Sequence, residues 1–174
     1  MFDIKIINGL IVDGSGNPAY SSDVGIVGDQ IVAIGNLADA ASRETIDAAG
    51  KVVAPGFVDM HTHSDLAVLF DPLTNSKIFD GVTTEVVGNC GIGVAPVSEA
   101  NRQLLIDYLG TRMIGNLPVK IELHWSSMAE YLDHIRQHPP ALNVCALLAH
   151  GAVRIAAMGF DKQAPSNAHM AAMK

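Results

Sequence analysis

Hydrophobic and polar positions alternate in short β-branched runs over the first 55 residues, and the period then changes. "DIKIINGLIVDGSG" offers two such runs around Asn8-Gly9, a dipeptide suited to the left-handed backbone of a hairpin turn. "SDVGIVGDQIVAIG" repeats the form around Gly28-Asp29, and "ETIDAAGKVVAPG" adds two more short strands. The pattern predicts a small all-β unit over residues 1–55. Asp13-Gly14-Ser15-Gly16 reads as a turn rather than a phosphate loop, because no helical period follows it.

After Pro55 short apolar runs alternate with helical periods. "FVDMHTH" predicts a strand, "TNSKIFDG" a short helix with Gly81 at its exit, and "VTTEVVGNCG" a second strand ending in glycine-rich sequence. "SEANRQLLIDYLG" predicts a helix with Leu104, Leu105, Tyr108 and Leu109 on one face and Gly110 after it. In "SSMAEYLDHIRQHPP" Ser127 and Glu130 form a capping box. Met128, Tyr131, Leu132 and Ile135 make its apolar stripe, and Pro139-Pro140 end it. "NVCALLAHG" is a third apolar strand. Ser166 suits the cap of a last helix, with Met170 and Met173 three apart. Strands this apolar are expected to be buried on both faces, as in a parallel sheet covered by helices. The fold class is therefore α/β, with βα units over residues 56–174. A complete (β/α)₈ (TIM) barrel takes about 250 residues, so three strands fit either a small open sheet or the first part of a larger barrel. A chain that stops just after a helix begins favours the second.

Composition narrows the partners. Of 174 residues 49% are hydrophobic, and the formal charge is −7 with no basic run, which disfavours a nucleic-acid partner held by phosphate contacts. The start, MFDIKII, has no charged n-region before a long apolar stretch. No apolar run approaches the roughly 18 residues of a membrane span, so no membrane partner is expected. Two cysteines, Cys90 and Cys145, do not make a disulfide framework, and a reducing, cytoplasmic setting is the default.

The candidate chemistry lies at the strand ends. His61 and His63 are two apart on the first strand after Pro55, so they point the same way. Two imidazoles on one face can hold one metal ion, and histidine suits zinc. They fit equally a polar strand exit facing water, but Asp65 follows two residues on and could orient an imidazole from behind. Cys90 takes the matching position on the second strand, between Asn89 and Gly91. A thiolate is a good zinc ligand and can bridge two ions, whereas a lone cysteine is often only a buried apolar residue. His150 ends the third strand, as a substrate contact or a support for the ligands, or as a hydrogen-bonded turn residue. Cys145, mid-strand, is expected in the core. His124, His134, His138 and His169 are expected at the surface, and Trp125 could wall a pocket.

At these residues the sequence resembles a known family. "GKVVAPGFVDMHTHSD" is similar to the opening strand of the amidohydrolase superfamily, and "GVTTEVVGNCG" with "NVCALLAHGAVRIAAMG" resembles the D-aminoacylases, or N-acyl-D-amino-acid deacylases. The resemblance implies that residues 1–55 form the N-terminal part of a composite β-sandwich. It implies that 56–174 form the first three βα units of a TIM barrel. It implies that His61, His63 and Cys90 are ligands of one or two zinc ions. The expected reaction is hydrolysis of a small-molecule N-acyl-D-amino acid to a D-amino acid and a carboxylate. The group's further histidine ligands and general-base aspartate come from later barrel strands. None of His124, His134, His138, His150 or His169 matches those positions, so the chain is expected to be a fragment, inactive alone. Two alternatives stand beside this one: an amidohydrolase acting on cyclic amides, of the dihydropyrimidinase kind, and a non-catalytic binding or assembly module.

Overall fold

The computed structural model describes residues 1–114 and 120–174. It divides into two compact units, Met1–Pro55 and Gly56–Lys174.

The first unit is a single five-stranded sheet. β1 (Phe2–Ile11), β2 (Tyr20–Val27), β3 (Gln30–Gly35) and β4 (Ser42–Asp47) lie in the order β3-β2-β1-β4, and β5 (Val52–Val53) also pairs with β1. Gly28 and Asp29 make the expected turn of the antiparallel β2–β3 hairpin. Asp13 accepts the N–H of Ser15, which closes the expected 13–16 turn. The hairpin expected at Asn8-Gly9 does not form. β1 runs through both residues, and its register against β2 shifts between Ile6 and Gly9. The dipeptide's freedom makes a bulge instead. Asn8 takes φ 60°, its N–H donates to Asp23 Oδ1 at 3.1 Å, and its Nδ2 donates to Asp47 Oδ1 at 2.9 Å. Contacts from two other segments thus outweigh the local turn preference. Lys5 is buried, and its ammonium donates to the carbonyls of Leu37, Ala38 and Ala40 at 2.8–3.4 Å.

The second unit carries a parallel sheet in the order β6-β7-β8, formed by Phe57–Asp59, Val82–Val87 and Asn143–Ala146. Around it run α1 (Ala67–Phe70), α2 (Asn75–Ile78), α3 (Arg102–Leu109), α4 (Met128–Gln137), α5 (His150–Met158) and α6 (Asn167–Ala172). The capping boxes of α4 (Ser127 with Glu130) and α6 (Ser166 with His169) both form. Gly81 leaves α2's end with positive φ, as expected. Gly110 does not end α3: at φ −54°, ψ −45° it stays helical and leads into a π-helical turn, Gly110–Ile114.

Leu105, Leu109, Trp125, Tyr131, Ile135, Ala152 and Ile155 form the core, and Val144 and Ala146 of β8 pack against it. Burial of Leu105 and Leu109, both nearly solvent-free, contributes on the order of 1.5–3 kcal/mol each. The opposite face of the sheet is covered only in part among the described residues: Val86 is buried there. Val58 is 53% exposed, and Cys145 is exposed rather than in the core as its sequence suggested. Alternate residues of a strand face opposite sides, so an apolar run alone does not say that both sides are covered. His134 and His169, expected at the surface, are half-buried, while His124 and His138 are exposed. Among the described residues no helix is long and apolar enough to cross a membrane.

Candidate metal centre

β6 stops at Asp59, two residues short of His61, where the chain bends, but Thr62 still bonds to β7. Thr62 is buried. Its N–H and its hydroxyl both donate to the carbonyl of Val86, at 3.2 and 3.1 Å. With Thr62 turned inward, its neighbours His61 and His63 turn outward, and both are exposed. Their rings meet edge to face with centroids 5.6 Å apart. Neither histidine lies on the regular strand expected from the sequence; both are exposed on either side of the buried Thr62.

Cys90 follows β7 in a short helical turn, Asn89–Gly91. It takes φ 55°, ψ 19°, a left-handed conformation that few non-glycine residues adopt. Asn89 secures the turn by donating Nδ2 to the carbonyls of Val86 at 2.8 Å and Thr62 at 3.4 Å. Close backbone packing limits which residues fit here. A Cβ on Gly88 would sit 2.3 Å from the carbonyl oxygen of Leu147, and one on Gly151 would sit 2.2 Å from that of Gly91.

These local choices bring His61 Nε2 to 3.1 Å from Cys90 Sγ. One ligand atom from each of His61, His63 and Cys90 lies within 4.8 Å of the others. Among the described residues no further His, Cys, Asp or Glu joins the group. Two imidazoles and a thiol are a donor set that zinc accepts. The spacing lets all three reach a single ion, and their exposure leaves a side open for a further ligand. The residues present fit a zinc ion.

The other candidates sit differently. Asp65 is 2% exposed, and burial raises its carboxyl to about 6, with the nearby Glu85 carboxylate adding to the effect and the N–H of Gly88 opposing it. Its Oδ2 has no hydrogen-bond partner, and its backbone carbonyl accepts the Tyr131 hydroxyl at 2.8 Å. No hydrogen bond joins Asp65 to His61 or His63 among the described residues. β8 ends at Ala146, and His150 is the exposed first residue of α5 rather than a strand end. It is not one of the three converging side chains. Trp125 is 2% exposed and donates Nε1–H to the Val94 carbonyl at 2.8 Å. It also borders a cavity of about 230 Å³ with Leu66, Phe70 and His134.

Sequence reasoning missed the polar group beside the histidine segment. Lys77 Nζ donates to Asp59 Oδ2 at 2.6 Å and lies 3.5 Å from Glu85 Oε1. The Lys77 hydrogen bond holds the Asp59 carboxyl below the usual range and, reciprocally, raises the Lys77 ammonium. Glu85 has no solvent exposure, accepts Ser64 Oγ at 3.2 Å through Oε1, and leaves Oε2 unpartnered. The available signal was a glutamate inside the apolar, β-branched run "VTTEVV".

The Amidohydrolase family pattern matches residues 44–173. The chain is 39% identical over 173 residues to the D-aminoacylase of Alcaligenes xylosoxydans xylosoxydans, covering 99% of this chain and 34% of that protein. It is 37% identical over 172 residues to the N-acyl-D-glutamate deacylase of the same organism, covering 99% and 33%. Among solved structures, the N-acyl-D-glutamate deacylase of Bordetella bronchiseptica, complexed with zinc and a phosphonate inhibitor, superposes with a TM-score of 0.82 at 37% identity, over 99% of this chain and 34% of that one. A D-aminoacylase whose binuclear metal centre was studied superposes at 0.84, with 35% identity and 99% and 35% coverage. The chain thus spans about a third of the length of the relatives it matches.

Proposed function

The chain belongs to the amidohydrolase family, and from that premise we propose that it supplies part of the zinc site of an N-acyl-D-amino-acid deacylase. The observation that carries this reading is the convergence of His61, His63 and Cys90 in a chain that aligns over 99% of its length with deacylases acting on N-acyl-D-amino acids. In this reading residues 1–55 are part of a composite β-sandwich and residues 56–174 the first three βα units of a TIM barrel.

His61 and His63 would hold the ion through imidazole nitrogens and Cys90 through its sulfur. When bound, zinc supplies Lewis acidity, which polarises an amide carbonyl and makes water a better nucleophile at neutral pH. The sulfur of Cys90 is exposed, and as a thiolate it could hold a second ion as well as the first. In this reading the buried carboxyl of Asp65 supports the histidine segment, and the exposed His150 is a contact for substrate. The proton taken from water and returned to the leaving amine needs a general base; in this reading an aspartate outside residues 1–174 takes that role. A reducing, cytoplasmic setting suits a thiolate ligand and the two free cysteines.

The test is zinc binding by the full chain under reducing conditions, followed by metal analysis. One zinc per chain is expected, lost in Cys90→Ala and in the double variant His61→Ala/His63→Ala. Stoichiometric zinc retained in all of them sinks the site. Zinc-loaded chain mixed with N-acyl-D-amino acids is expected to leave them intact, and turnover would overturn the assignment of the base to residues outside it.

A further inference from the structure

The sheet's helix-facing side carries a polar cluster with no role in ligation. Asp59 and Glu85 are directly opposite each other in the β6–β7 register, and Lys77 reaches both from α2. Glu85 is costly where it stands: a carboxylate with no solvent exposure and one unpartnered oxygen loses hydration that one ion pair seldom repays in full. A valine at that position would suit the strand better.

What the cluster holds is informative. Asp59 Oδ1 accepts the backbone N–H of His61 at 3.3 Å. Glu85 Oε1 accepts the hydroxyl of Ser64, the residue after His63. Lys77 joins the two carboxylates, so the segment from 61 to 64 is gripped at both ends. In the middle Thr62 is fixed to the Val86 carbonyl, which also accepts from Asn89, the neighbour of Cys90. The histidine segment and the cysteine turn are thereby referred to the same stretch of β7.

We infer that Lys77, acting through Asp59 and Glu85, is a positioning residue that sets His61 and His63 at the spacing from Cys90 that a metal ion requires. This rests on the metal-site reading above, and cobalt separates the two. Co(II) bound by a thiolate gives a sulfur-to-metal charge-transfer band, and its affinity and ligand-field spectrum report ligand geometry without any turnover. The full chain is titrated with Co(II) beside Lys77→Met, Lys77→Arg and Ser64→Ala. Lys77→Met is expected to bind about 10-fold or more weakly, with an altered ligand-field spectrum. Lys77→Arg, which keeps the charge, is expected to recover most of that loss. Ser64→Ala, which leaves the ion pairs intact, is expected to weaken binding by about 3-fold, the worth of one hydrogen bond. Parental affinity and spectrum in Lys77→Met overturn the inference. If circular dichroism shows that variant unfolded, Ser64→Ala decides, and parental behaviour there overturns it. A parent chain with no Cys90-dependent band sinks the metal site itself instead.

Discussion

Among the described residues each unit buries a long charged side chain, and the two are treated differently. In the sheet of residues 1–55, Lys5 gives its ammonium protons to three carbonyls of the 37–40 turn. Its charge is matched by dipoles, and a loop is closed. In the α/β unit, Glu85 keeps one oxygen unpartnered and shares Lys77 with Asp59. The first arrangement serves stability, since every polar atom it buries is satisfied. The second is poor as a stabilising device, and its value lies in what it holds in place. A buried charge that is fully hydrogen-bonded and one that is not therefore point to different purposes.

That contrast is open to direct attack. The largest effect is expected away from either charge: Leu109→Ala, at a side chain with no solvent exposure, should cost about 3 kcal/mol in chemical denaturation. It sets the scale for an ordinary core residue. Lys5→Met should cost about 2 kcal/mol, because it strands hydrogen bonds made to a charged donor, while leaving cobalt affinity at the parental value. A loss of metal binding in Lys5→Met would erase the distinction between the two charges. Glu85→Gln should change stability by less than about 1 kcal/mol, because relief of a buried charge offsets the weakened ion pair; a loss as large as that of Lys5→Met would mean that Glu85 too is there for stability.

The smallest effect is expected with pH. Burial holds the His134 imidazole below the usual histidine range, and the nearby His138 and His124 add to this. As pH falls below about 6.5 the unfolded chain takes up the proton first. Stability should therefore be full above that value and decline until the pH passes the lower folded value. His134→Gln should flatten this part of the stability–pH curve, and an unchanged slope would assign it to other groups.

Much of the fold is legible along the chain. Helix α4 is read from Ser127, Glu130 and the Tyr131/Ile135 stripe, because capping and a 3.6-residue period are local properties. The Gly28-Asp29 turn is read for the same reason. Asn8-Gly9 shows the limit: the same backbone freedom serves a turn or a bulge, and Asp23 and Asp47, distant in sequence, select the bulge. Gly110 continues a helix that its residue type suggested it would end. Cys145 faces the open side of the sheet because neighbouring elements, not the strand's own composition, decide which face is covered.

The site divides in the same way. By itself the sequence singled out the candidate donors: His61 and His63 two residues apart, Cys90 at the next strand's end, and a family resemblance carried by those residues. Tertiary structure alone decided that His61 Nε2 comes 3.1 Å from Cys90 Sγ, that His150 opens a helix instead of joining them, and that Lys77, Asp59 and Glu85 grip the ligand segment. Residue type and period-two geometry belong to a short stretch of chain. Distances between strands depend on register, on close backbone packing at Gly88 and Gly151, and on hydrogen bonds between segments tens of residues apart.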